Sequence, residues 1–229
     1  MKNKVPLLFL LFALTALFLG MLFGLTASLQ YLLPEFLKET VPFSKLRPFH
    51  VTSETSWIVL AATGSIYFFI ASVEKFELFS PKFQLLHFIL FLLTGVAIYF
   101  SFAFDYTEGR EYFAFKPILM IPILLGWVLF GINYFKTLYT NMKGWPVYFW
   151  MWGTGIAFMC YHLMEAHFWL FDFFRLHFIK DFAVQWKSTG SFTGSWNMLV
   201  YGISIYLMSE IKKDTDVATN KIAFFFYFL

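Results

Sequence analysis

Arg47-Pro-Phe-His-Val-Thr-Ser-Glu-Thr-Ser-Trp-Ile-Val-Leu-Ala-Ala-Thr-Gly-Ser-Ile-Tyr67 is a stretch that ends as a membrane helix and begins with ionisable groups. At helical spacing His50, Glu54, Trp57, Ala61 and Gly64 fall at i, i+4, i+7, i+11 and i+14, so they share one face. That face is a poor one to show to lipid. A carboxylic acid in a spanning helix costs on the order of 2.5–3.5 kcal/mol on insertion scales unless it meets a partner or a cavity. The stretch therefore predicts a helix in a bundle, with this face turned inward as a functional site or an interhelical hydrogen bond.

The rest of the chain agrees with a membrane setting. Of 229 residues, 59% are hydrophobic, 24% aromatic and only 14% charged, and the mean hydropathy is +0.67, outside the soluble globular range. The formal charge of +3 is scattered, with no basic run that would suit a nucleic acid. Cys160 is the only cysteine, so neither an intrachain disulfide nor a cysteine metal cluster is available.

In order, Val5 to Leu33 is an uncharged run behind Lys2 and Lys4, longer than the roughly 20 residues of a span and than the apolar core of a signal peptide. Within it, Gly20-Met-Leu-Phe-Gly24 lets a neighbouring helix approach closely. Pro34 and Pro42 bracket a polar loop, and Pro48 suits the first turn of a second helix running from about Phe49 to Val73. Glu74, Lys75, Glu77, Pro81 and Lys82 form a loop before a third helix, Phe83 to Phe104, whose lone His87 reads as an interfacial or core histidine. A fourth helix opens at Pro117 and ends near Leu138, with a kink expected at Pro122.

Asn141, Lys143 and Gly144 make the next turn. A fifth helix starts at Trp145-Pro146 and runs to about Trp169, with Trp145, Trp150, Trp152 and Trp169 as interfacial anchors. Leu170 to Ser188 mixes charges with phenylalanines, as an amphipathic interfacial segment does. A sixth helix follows from Thr189 to Met208, then a charged loop, Glu210 to Lys221. The last eight residues, Ile222 to Leu229, are apolar but too short to span. The expected fold class is thus an all-α integral membrane bundle, a single transmembrane domain over 1–229. It has six complete spans and the start of a seventh, as in the N-terminal part of a longer protein.

Alternation of the spans puts Arg47, His50, Glu54, Glu108, Arg110, Glu111, His162, Glu165, His167 and Lys187 at one membrane surface. Lys and Arg divide nine against eight between the two sides, so the positive-inside rule leaves the orientation open.

Two constellations can carry chemistry. His50 at a helix end is suited to axial ligation of haem iron, its second ring nitrogen needing an acceptor that fixes its orientation. Glu54, one turn deeper, suits proton handling; an interhelical hydrogen bond is the plainer alternative for both. Tyr161-His162-Leu-Met-Glu165-Ala-His167 is the second. His162 and Glu165 share a face, His167 is turned away, and the set can serve a transition metal or simply satisfy itself and the neighbouring loop. No phosphate-binding glycine loop or nucleophile elbow occurs.

Arg47-Pro-Phe-His50 followed by Trp57, Gly64 and Tyr67, then Gly109-Arg110-Glu111-Tyr112 with Pro117, then Gly194-Ser-Trp196-Asn197, resemble in order the second helix, the loop before the fourth helix and the sixth helix of the haem-copper oxidase catalytic subunit. The resemblance is nearest to the nitric oxide reductase branch. It implies that His50 ligates a low-spin haem of b type, and that Arg47 pairs with a haem propionate or a lipid phosphate. It also implies a respiratory oxidoreductase passing electrons from a cytochrome c-type or quinol donor to O2 or nitric oxide. Such a protein sits in a lipid bilayer, expected to be the bacterial inner membrane with a cytoplasmic N-terminus, beside a small respiratory partner subunit and away from nucleic acid.

Where the family's sixth helix carries a histidine ligand of copper or non-haem iron, seven residues before the tryptophan, this chain has Thr189. Thr193 and Asn197 stand where the nitric oxide reductase branch has glutamates. The dinuclear centre of haem with copper or non-haem iron is therefore an expectation only for the full-length protein, and this stretch by itself is expected to be inactive. Two alternatives remain open: a non-catalytic relative lacking that centre, and a membrane transporter or metalloprotein using His162, Glu165 and His167.

Overall fold

The computed structural model describes residues 4–73, 76–139 and 144–228. These are helical almost throughout. In chain order they form α1 (Val5–Leu32), α2 (Phe43–Phe68) continuing into a π-helical turn (Phe69–Val73), and α3 (Pro81–Ala103). Next come a 3₁₀ turn (Pro117–Leu119) leading into α4 (Met120–Leu138), then α5 (Val147–Glu165) and a 3₁₀ turn (Phe168–Leu170). The chain ends with α6 (Asp172–Arg175), α7 (Phe178–Lys212), α8 (Asp216–Thr219) and α9 (Lys221–Phe228). Lys2, Glu74, Lys75, Asn141, Lys143 and Leu229, on which parts of the sequence reading fall, lie outside the described residues.

Among the described residues, four helical stretches are long and apolar enough to cross a membrane: Val5–Leu32, Phe43–Ala71, Pro81–Ala103 and Pro117–Leu138. The protein is an integral membrane protein. The stretches expected as the fifth and sixth spans are helical, as α5 and α7, but neither is among these four, because their composition is milder. Tryptophans, tyrosines, His162 and Glu165 dilute α5, and Lys180, Asp181, Lys187 and a run of small hydroxyl residues dilute α7.

Three boundaries differ from the sequence reading. Helix α2 begins at Phe43, so Pro48 sits in its second turn rather than its first. There the ring removes the donor that would otherwise bond the Ser44 carbonyl. Helix α5 stops at Glu165, four residues short of Trp169. Helix α7 starts at Phe178, absorbing half of the segment read as interfacial. At 1.5 Å per residue its 35 residues extend roughly 52 Å, well beyond a hydrocarbon core of about 30 Å. It ends where Lys213 turns left-handed at φ 56°, its N–H and that of Asp214 closing back on Glu210 and Ser209 carbonyls.

The chain divides into two compact units, Met1–Gly64 with Phe88–Ile123, and Ser65–His87 with Leu124–Leu229. In the first, α1 is apolar all round, yet only one stripe is buried: Pro6, Phe9, Ala13, Ala16, Gly20 and Ala27. The opposite side shows Leu11, Leu14, Phe18, Met21 and Leu25, the face left for lipid. The small residues in the buried stripe let α2 and α3 close in. A Cβ on Gly64 would meet the Pro6 carbonyl and Phe9 at 3.0 Å. Phe9 packs edge-on to Phe88, and Phe49 is wedged between Phe23, Tyr99 and Phe102.

In the second unit Trp127, Trp152, Tyr67, Tyr134, Tyr206 and Phe130 are fully buried. The expectation that Trp145 and Trp152 anchor the interface is corrected: both are core residues, and Trp152 lies against Gly202 of α7. Gly155 brings α5 equally close to α7, since a Cβ there would stand 2.6 Å from Leu199 and 2.9 Å from the Ser195 carbonyl. His87 is a core histidine, 3.4 Å from the Tyr67 hydroxyl. Asn133 answers the backbone of the turn before α3, accepting from the Ser80 N–H at 2.9 Å and donating to its carbonyl at 3.1 Å.

Candidate functional site

The face that opened the sequence reading lies against α1 at the Gly20–Gly24 pair. His50 Nδ1 is 2.9 Å from the Gly20 carbonyl oxygen. A carbonyl only accepts, so Nδ1 is the donor of this bond, and the neutral form of the ring then has its lone pair on Nε2. The ring occupies the space a side chain at position 24 would take: a Cβ there would stand 2.8 Å from both Cε1 and Nδ1 of His50. Glu54 fills the matching space at position 20, where a Cβ would be 2.5 Å from its Oε1.

The carboxylate is itself held. Glu54 Oε2 accepts from the Trp57 indole N–H at 2.8 Å, and Oε1 lies 3.9 Å from His50 Nδ1. One turn along, Ser53 hydrogen-bonds to Tyr99 of α3 and donates to the Phe49 carbonyl. The expected common face of His50, Glu54 and Trp57 is thus observed, with Trp57 bonded to Glu54 and the Glu54 carboxylate 3.9 Å from His50. His50 keeps 38% of its side chain exposed, so its outer edge is reachable by a metal centre. An imidazole with its tautomer set by a carbonyl, an available Nε2 and an open edge fits axial ligation of haem iron.

Arg47, one turn before His50, reaches the loop between α3 and α4. Its Nη2 donates to both Glu111 oxygens at 2.7 Å. That contact ties the guanidinium to the loop while about half of the side chain stays exposed. The loop is shaped for it: Tyr112 turns left-handed at φ 67°, Arg110 and Phe113 form a small bridge, and Gly109 lies so close to the Phe113 carbonyl that no Cβ fits. Between loop and helix is a cleft of about 180 Å³ lined by Arg47, Thr52, Arg110, Glu111 and Tyr112, among others. The Thr52 hydroxyl is buried without a hydrogen-bond partner. The charged lining of the cleft is thus two guanidiniums and the Glu111 carboxylate that holds one of them, an excess of donors for an oxyanion.

The second constellation closes differently. His162 Nδ1 and Glu165 Oε2 are 2.9 Å apart, and Lys187 of α7 donates to Glu165 Oε1 at 2.7 Å. His162 and Glu165 are buried, while Lys187 remains 61% exposed. His167 turns its Nδ1 onto the Leu163 carbonyl of its own helix at 2.9 Å. Among the described residues, no three His, Cys, Asp or Glu side chains come together around a metal position.

Thr189, at the position where the resemblance expects a ligand, lies in α7. Its hydroxyl accepts from Gln185 at 3.3 Å, and its carbonyl accepts from Thr193 at 3.1 Å.

Sequence reasoning named His50, Glu54, Trp57 and the glycine pair separately but not the Gly20 carbonyl, because a backbone acceptor leaves no mark in composition. It also missed the partners Glu111 and Lys187, which lie far along the chain from Arg47 and Glu165. The one usable signal was charge balance, since each carries the opposite charge on the expected shared surface.

A nitric oxide reductase subunit of Stutzerimonas stutzeri is 34% identical over 142 residues, a match covering 56% of this chain and 30% of that relative. Less than a third of that protein is therefore spanned. The family described as cytochrome c and quinol oxidase polypeptide I matches residues 4–224, essentially the whole of the sequence that positions His50, and the chain belongs to that family.

Proposed function

We propose that this chain binds a low-spin haem through His50 and serves the electron-transfer arm of a respiratory haem-copper-type oxidoreductase, in the full-length protein reducing O2 or nitric oxide. Family membership implies haem, and the coarser reading of a haem-copper oxidase-type membrane subunit rests on it. The observation that carries the finer reading is the His50 Nδ1–Gly20 carbonyl bond, which leaves Nε2 as a lone-pair donor on an open edge. Bound there, a haem supplies one-electron transfer.

The chain's own residues hold and orient. Gly20 and Gly24 seat the imidazole, Trp57 pins Glu54 beside it, and Arg47 with Arg110 offers donors for a propionate or a lipid phosphate. A cytochrome c-type or quinol donor supplies the electrons, and the bacterial inner membrane is the setting. The test is His50→Ala in the protein purified from membranes: the low-spin haem band should vanish while the chain still inserts. A band of wild-type intensity would refute the ligand assignment.

A second reading, an electron-transfer or assembly relative without a dinuclear centre, is favoured by one observation. The Thr189 hydroxyl is engaged by Gln185 at a place where the resemblance expects a metal-binding histidine. Elemental analysis of the purified full-length protein separates the two. Copper or non-haem iron in stoichiometric amount supports the first reading, and haem iron alone supports the second.

A further inference from the structure

Glu54 has no part in ligation as described, yet it is a costly residue where it stands in α2. It is a carboxylic acid inside a stretch long and apolar enough to span a membrane, with a third of its side chain exposed. Three observations show that it is built in. Its Oε1 occupies the space freed by the missing side chain of Gly20. Its Oε2 is pinned by the Trp57 indole at 2.8 Å. It is thereby held 3.9 Å from Nδ1 of His50, the nitrogen whose proton goes to the Gly20 carbonyl at 2.9 Å.

We propose that Glu54, pinned by Trp57 and seated on Gly20 of α1, is the positioning residue that sets the electronic character of the His50 ligand. This rests on the ligand reading above. An imidazole N–H that faces an acceptor is a more basic ligand, and a carboxylate beside the same N–H adds to that effect. A fixed negative charge near a metal centre also favours its more positive, oxidised state through an interaction little screened away from water. Both effects act in one direction: Glu54 lowers the midpoint potential of the haem that His50 holds. The seat on α1 is part of the device. A methyl group at position 24 would collide with the ring at 2.8 Å, turning the imidazole away from the Gly20 carbonyl.

The test is a redox titration of the low-spin haem band, with low-temperature electron paramagnetic resonance, on full-length haem-loaded protein from membranes. Glu54→Gln keeps the shape and an oxygen for Trp57 but removes the charge. At a fixed ambient potential its reduced-to-oxidised ratio should rise about tenfold, a one-electron shift of about 59 mV upward. Gly24→Ala should change the g values, reporting a rotated ring. An intact band with unchanged potential in Glu54→Gln overturns the proposal whether or not Gly24→Ala yields folded protein. His50→Ala distinguishes the two levels. If it abolishes the band while Glu54→Gln leaves the potential unmoved, only the Glu54 role falls. If the band survives His50→Ala, the ligand reading falls and takes this role with it.

Discussion

Two histidine–glutamate pairs sit on helices of this protein, and the structure uses them in opposite ways. His50 and Glu54 on α2 are four residues apart, share a face, and yet do not bond each other. The histidine turns its Nδ1 to a carbonyl of α1 and the glutamate turns to Trp57, leaving 3.9 Å between them and more than a third of the imidazole exposed. His162 and Glu165 on α5, three residues apart, bond directly, and Lys187 completes the carboxylate from α7. The first arrangement orients a ring and keeps it available. The second consumes its own donors and acceptors and ties two helices together. What separates them is the neighbour: a glycine pair on α1 offers a bare carbonyl and an empty space, whereas α7 offers an ammonium.

The comparison breaks most visibly under alanine replacement of the two histidines. His50→Ala should eliminate the low-spin haem absorbance, and His162→Ala should leave it at wild-type intensity per mole of protein. Equal losses in both would mean that the two pairs are not functionally distinct.

Stability should rank the pairs the other way. Glu165→Ala strands His162 in a buried setting, for a loss of about 2 kcal/mol, visible as a lower unfolding temperature in detergent. Glu54→Ala, at a site one-third exposed, should cost less. The reverse order would make α2 and not α5 the site of the structural clamp.

The closeness of α5 to α7 gives a sharper version. Gly155→Ala pushes a methyl onto the Ser195 carbonyl and Leu199, an overpacking worth about 1–3 kcal/mol, and should lower stability without moving the haem band. A shifted band would show that the α5–α7 packing reaches the ligand.

The smallest effect belongs to the surface. Arg47 and Glu111 are about half exposed, and such pairs contribute roughly 0–1 kcal/mol. Glu111→Gln should therefore leave the unfolding temperature within about a degree or two while freeing the Arg47 guanidinium, as scored by tighter retention of haem or of anionic lipid. A large drop in stability would place the loop among the structural elements.

Much of the architecture was legible residue by residue. The uncharged run after Lys4 had no other stable form in a bilayer than a helix, and α1 covers Val5–Leu32. Gly20-x-x-x-Gly24 was readable as a place of close approach, and the common face of His50, Glu54 and Trp57 followed from spacing alone. The tryptophans of α5 misled because an indole serves equally in an interfacial belt and in a core, and composition does not separate the two. Helix α7 was cut short in the reading because its first turns alternate charges with phenylalanines, a pattern shared by interfacial segments and by a long helix that outruns the membrane.

The sequence by itself determined that this is a helical membrane protein, that ionisable groups share a face of its second helix, and that its motifs follow the order of a respiratory oxidase family. These are local or ordinal properties, set by hydropathy over a helix length and by periodicity within a turn or two. Only the tertiary structure decided which groups answer one another: the Gly20 carbonyl for His50, Glu111 for Arg47 and Lys187 for Glu165. Those pairings join residues 30, 64 and 22 positions apart, and no periodicity along one helix encodes what a second helix will present to it. Packing decides that, because a hydrogen bond exists only where two backbones approach closely enough to make it.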